Sequence, residues 1–89
     1  MIERTITIRN KLGLHARAAV KFVNTANRFS ADVQVEKDGS RIDGKSILGI
    51  LTLAVTQGSD ITLKIDGEDA EAAWKALFDL IEQRFGEKE

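Results

Sequence analysis

Two short stretches of this chain hold residues whose types and spacing can do chemistry. NKLGLHARAAV, Asn10 to Val20, contains the only histidine, His15, with Arg17 two positions on. GSRIDGKS, Gly39 to Ser46, has the Gly-x4-Gly-Lys-Ser spacing of a loop that cradles nucleotide phosphates. In the first stretch Gly13 ends a loop, His15 stands at the expected start of a helix, and Arg17 lies in its first turn. The unpaired amides of a helix N-terminus point outward and carry partial positive charge. Such an end suits an anion, phosphate above all. Arg17 adds a planar fork of donors matched to phosphate oxygens, and the imidazole supplies a nucleophilic nitrogen near neutral pH. The combination can bond a phosphoryl group covalently and hold it without a metal.

Those residues must be placed by the rest of the chain, whose periodicity is legible. Glu3 to Arg9 alternates, with Ile2, Ile6 and Ile8 on one face and Thr5 and Thr7 on the other, as a half-buried strand requires. From Ala16 the period lengthens, and Ala19, Phe22, Val23 and Ala26 share a helical face while Lys21, Asn24, Thr25 and Arg28 lie largely away from it. Val33 and Val35 mark a second strand. Asp38-Gly39 is a hairpin signal, and Ser40 to Asp43 form the returning strand. Ser46 reads as an N-cap opening the apolar run ILGILTLAV. Ile61, Leu63 and Ile65 define a further strand, Asp66-Gly67 a turn, and Ala70, Ala73, Trp74, Leu77, Ile81 and Phe85 the buried stripe of a longer helix. The order βαββαβα predicts an α+β open-faced β-sandwich. Its four-stranded, mostly antiparallel sheet is covered on one face by three helices, in a single domain over residues 1–89.

The element order weakens the nucleotide reading of GSRIDGKS. Its first glycine belongs to the hairpin signal, Ile42 reads as an inward strand residue, and the chain is too short for flanking βαβ crossovers. The spacing is a coincidence of hairpin glycine, turn glycine and helix cap. Composition narrows the field further. With 89 residues, 14 acidic against 13 basic side chains and a net charge of −1, the chain has no broad field to attract nucleic acid or anionic lipid. There is no cysteine, hence no disulfide or thiolate site, and one histidine without His-rich spacing gives no metal centre. No apolar run reaches membrane-spanning length and the first strand starts at Ile2, so the chain reads as cytoplasmic.

GLHARAA, the later GKSILGILTL and the element order together resemble the HPr family, the phosphocarriers of the bacterial phosphoenolpyruvate-dependent phosphotransferase system. The likeness spans essentially the whole chain. It implies a relay rather than an enzyme, working without a cofactor. By that resemblance enzyme I, charged by phosphoenolpyruvate, would phosphorylate His15, and the phosphohistidine would pass its group to the IIA component of a sugar permease. The family uses Nδ1 of the ring, a choice the residues alone do not dictate. Arg17 matches the family's phosphate-facing arginine, and the amides of Ala16 and Arg17 would stabilise the same group. The nitrogen-related branch of the system uses similar carriers and is the alternative. One departure stands out, since the family commonly has proline after the arginine and this chain has Ala18. Alanine keeps the helix and adds a backbone donor.

The run Ile47 to Leu53 is apolar nearly all round, so one short helix must leave part of it exposed. Ile50 and Leu53 read as core. Leu48 and Leu51, and by resemblance Ile47, fit the family's docking patch for enzyme I and IIA components. Ala16, Val20, Lys21 and Asn24 would flank His15 on that surface, with Lys21 and Lys45 steering acidic partners. Ser46 matches the position that an HPr kinase phosphorylates in some bacteria, which would set added charge beside Leu48 and Leu51. A monomer suits such a shuttle. A nucleic-acid-binding module would show aromatics on strands, yet all five aromatics fall on or beside expected helices.

Overall fold

Apolar alternation and helical periodicity generate the elements in the expected order, and the computed structural model describes all 89 residues. These are β1 (Ile2–Thr7), α1 (Ala16–Ala26), β2 (Asp32–Lys37), β3 (Ser40–Asp43), α2 (Ile47–Thr52), β4 (Asp60–Asp66) and α3 (Ala70–Glu82), followed by a 3-10 turn, Arg84–Gly86. The four strands form one sheet in the order β1-β4-β2-β3. Every neighbouring pair is antiparallel, so the sheet is antiparallel throughout.

Register follows from which face each strand must bury. Ile2 lies opposite Ile65 and Ile6 opposite Ile61 across β1 and β4. Val33 faces Ile65 and Val35 faces Leu63 across β2 and β4. Onto that apolar face pack Ala19, Phe22, Val23 and Ala26 of α1, Ile50 of α2, and Ala70, Ala73, Leu77 and Ile81 of α3, all buried. Each large side chain so buried contributes about 1.5–3 kcal/mol. Polar pairs occupy other positions of the strands, as in the Thr5–Thr62 hydroxyl bond at 3.0 Å and the Lys64–Glu36 ion pair at 3.3 Å. Between α1 and β2, the loop is fastened to the start of α3 by Asp69, whose carboxylate accepts from the amides of Ser30 and Ala31 at 2.8 Å each. The Ser30 amide, opposed by burial and reinforced by that of Ala31, holds this carboxyl below its usual range.

Two positions of the long-helix stripe differ from expectation. Trp74 is only partly buried, with the Arg4 guanidinium 5.1 Å from its ring centroid. Phe85 is buried but does not lie on α3, which ends at Glu82. Arg84 and Phe85 adopt left-handed φ values of 57° and 55°, so the chain turns back and seats the phenyl ring from outside the helix. Bulky side chains rarely adopt that conformation, and burial of the ring opposes its cost.

The GSRIDGKS segment resolves into three local constraints. Asp38 and Gly39 have φ of 51° and 85°, the left-handed pair of a tight hairpin. Gly44 crosses Val33 so closely that a Cβ would stand 2.6 Å from Val33 Cγ1 and 3.0 Å from its carbonyl oxygen. Ser46 caps α2, its Oγ accepting from the Gly49 amide at 3.0 Å. No phosphate cradle is needed to explain either glycine. Gly44→Ala should therefore destabilise the fold by about 1–3 kcal/mol in urea titration, through overpacking against Val33, and millimolar ATP should shift the melting temperature of neither protein.

Candidate functional site

The loop between β1 and α1 is closed by its own polar groups. Asn10 is fully buried, and its Nδ2 donates to the Gly13 carbonyl at 2.7 Å while its backbone carbonyl accepts from the Gly13 amide at 3.1 Å. Gly13 has φ of 65° and presses on the backbone of Val55, where a Cβ would lie 2.3 Å from the carbonyl oxygen. Leu14 then donates its amide to the same Val55 oxygen at 3.0 Å. Only glycine fits this crossing. The loop so fixed delivers His15 to the N-cap position of α1, as the sequence reading required.

His15 occupies that position without capping. Its backbone is extended, with φ −71° and ψ 178°, and its carbonyl accepts the first helical bond from Ala19 at 2.8 Å. The side chain makes no cap bond. The amides of Ala16, Arg17 and Ala18 consequently have no acceptor within the chain, and Ala16 and Arg17 are exposed. Arg17 takes part in none of the ion pairs. The imidazole is 27% exposed. It opens into a hollow of about 740 Å³ that Arg17, Lys11 and Leu12 also line. An anion placed here meets unpaired amides, the helix dipole and an unengaged guanidinium together.

The far side of the hollow is the chain's own C-terminus, which the sequence reading missed. Glu87 Oε2 lies 2.5 Å from His15 Nε2, and its Oε1 accepts from Asn10 Nδ2 at 3.1 Å. Two further bonds hold the tail in place. Lys21 Nζ donates to the Phe85 carbonyl at 2.5 Å, and the Lys11 amide to the Glu89 carbonyl at 2.5 Å. Burial pushes the Glu87 carboxyl up, but the bonds from His15 and Asn10 and the positive charge of His15 and Lys21 outweigh it, leaving the group below its ordinary value. Nothing local announces Glu87, because its partners lie 72 and 77 positions away.

The remaining expected residues lie on α1 and α2, which pack against each other, and, for Lys45, on the loop before α2. Val20, Ile47 and Leu48 are exposed by 40, 38 and 76% respectively. Asn24 is exposed and Leu51 half-buried against the core. Ile50 and Leu53 are buried, matching their assignment to the core. The two lysines are not free arms, since Lys21 bonds Phe85 and Lys45 Nζ donates to the Phe29 carbonyl at 2.9 Å.

The Glu87 carboxyl, held below its ordinary value, ties stability to pH. Its stabilising bonds are complete above the ordinary carboxyl value of 4.5 and are lost as pH falls through the lower folded value. Thermal melting from pH 6 down to pH 2 should show Glu87→Gln losing less stability than the unmodified chain across that acid window.

A family model described as the PTS HPr component phosphorylation site matches residues 2–83. A phosphocarrier protein HPr of Neisseria meningitidis serogroup A is 51% identical over 89 residues, covering all of both chains. Among solved structures, an HPr from Thermoanaerobacter tengcongensis superposes with a TM-score of 0.96 at 53% identity, again over both full chains. A second structure from that organism, of an HPr dimer, gives a TM-score of 0.79 at 54% identity, covering 98% of this chain and all of that one.

Proposed function

The chain belongs to the HPr family of phosphotransferase-system phosphocarriers, and we propose that His15 is its acceptor, charged by phospho-enzyme I and discharged to IIA components of sugar permeases. The observation that carries this is the N-cap histidine whose side chain leaves the cap unmade. With Nε2 engaged by Glu87, Nδ1 is the nitrogen without a partner in the chain. Its lone pair attacks phosphorus in line as the P–N bond of the donor phosphohistidine breaks, and that electron pair returns to the donor ring. The incoming group's oxygens take the free amides of Ala16 and Arg17, and the guanidinium of Arg17 closes over them. Ala18, where the family commonly has proline, adds a third amide without an acceptor. Little covalent machinery is required, because such transfer rests on positioning and charge stabilisation.

Docking is assigned to the exposed apolar surface of Val20, Ile47 and Leu48 with Leu51 beneath it, flanked by Ala16, Asn24, Lys21 and Lys45. A small surface of this kind suits a transient encounter. No helix is long and apolar enough to cross a membrane, and the reading places the carrier in the cytoplasm with enzyme I. The monomer expected of a shuttle does not follow from the family, because several related structures are of dimers. Ser46 is proposed as a regulatory phosphorylation site for an HPr kinase. Its hydroxyl already sits at the N-terminus of α2, where phosphate is tolerated by the helix, while the charge would oppose docking beside Leu48.

Incubation with phosphoenolpyruvate and enzyme I should give an acid-labile phosphorylated species, located at His15 by mass spectrometry, that His15→Ala does not form. Arg17→Ala should slow transfer by about a hundredfold, the usual effect of removing one preorganised donor. An alkali-labile phosphoserine in place of that species would overturn the carrier reading. Ser46→Asp should keep the melting temperature and lower the rate of phosphoryl acceptance from enzyme I; an unchanged rate would remove the regulatory role.

A further inference from the structure

The C-terminal tail does more than close the hollow. We propose that Glu87 is a positioning residue for phosphoryl transfer, fixing the ring tautomer of His15 before the reaction and balancing the ring's charge after it. The proposal rests on the carrier reading above and deepens it.

A carboxylate cannot accept from a bare ring nitrogen, so the 2.5 Å contact between Glu87 Oε2 and His15 Nε2 requires a proton on Nε2. In the neutral ring the lone pair then resides on Nδ1, the nitrogen without a partner. When Nδ1 takes a phosphoryl group, the Nε2 proton stays and the ring becomes a phosphorylated imidazolium, whose charge the adjacent carboxylate offsets. Discharge reverses this, since the P–Nδ1 bond breaks, its electron pair returns to Nδ1, and the ring leaves as neutral imidazole. Were Nε2 unprotonated, the same cleavage would expel an anionic ring, a far poorer leaving group. One carboxylate therefore serves both acceptance and donation, in the manner of an acid that orients a catalytic imidazole.

The carboxylate is itself held from two sides. Asn10, fully buried, donates to its other oxygen at 3.1 Å. The chain just before it is pinned by burial of Phe85 and by the Lys21 bond to the Phe85 carbonyl. The other charged groups around the ring are Arg17 and Lys11, with Lys88 and Glu89 of the tail. Glu87 is the carboxylate that contacts the imidazole.

The test compares the full chain with Glu87→Gln, which keeps size and removes charge. Glu71→Gln, which loses a carboxylate paired with Arg4 far from the ring, is the control. Two readouts are needed, the 15N spectrum of the His15 ring at a pH where it is neutral, and the pH profile of phosphoryl transfer from phospho-enzyme I and onward. The expected result for Glu87→Gln is a ring shifted from nearly pure Nε2–H to a mixture of tautomers, with transfer slowed about tenfold, the effect of one charge-assisted hydrogen bond. Its pH profile should also be displaced, while Glu71→Gln matches the unmodified chain. Unchanged or faster transfer in Glu87→Gln overturns the proposal. Slower transfer with the ring spectrum and pH profile unmoved assigns Glu87 a purely structural role and overturns it too. If the unmodified chain accepts no phosphoryl group, the carrier reading fails instead, so the two failures are distinct.

Discussion

Helix α1 begins with a residue that sits in the capping position and does not cap. Most helices satisfy their first amides with a serine, threonine, aspartate or asparagine side chain. Here the position is taken by an imidazole that bonds Glu87 instead, and three consecutive amides remain unpaired. On the proposed reading, that incompleteness is the site. A better cap would stabilise the helix by about 1 kcal/mol and remove both the ring and the opening for an anion.

Everything near this helix end is arranged to keep the vacancy in one place. Asn10 and Gly13 fix the approach of the chain, and the backbone of Val55 blocks any other course. The core beneath depends on Ala18, Ala19 and Phe22, each fully buried, so the helix cannot slide to recruit a different first residue. The contrast with α2 is instructive. There Ser46 does cap, bonding the Gly49 amide, and the apolar side chains of Ile47 and Leu48 are exposed. The N-terminus of α1 thus keeps unpaired amides, and an exposed apolar surface adjoins it.

What the sequence made legible was local. His15, Arg17 and the start of α1 could be found because loop, glycine and helical period lie within eleven consecutive residues. The strands could be found because their buried faces alternate so cleanly. Glu87 could not, since a polar tail of Gly-Glu-Lys-Glu carries no period and its partners are set by the three-dimensional return of the chain. Phe85 misled for the same reason, as its spacing fits the stripe of α3 although two left-handed residues lift it off the helix. The GSRIDGKS spacing erred in the opposite sense. A phosphate-loop pattern arose from a hairpin, a tight backbone crossing and a helix cap, each with its own cause.

The strand order has a consequence for how the molecule comes into being. β4, near the end of the chain, is the only neighbour of β1 and lies between it and β2. During synthesis the first strand must stay unmated until residue 66 has been made, while β2 and β3 can already zip together as a hairpin. Completion of the sheet is therefore a late, long-range insertion, slow beside helix formation because distant segments must meet. A newborn chain carries its histidine long before it has a frame to hold it.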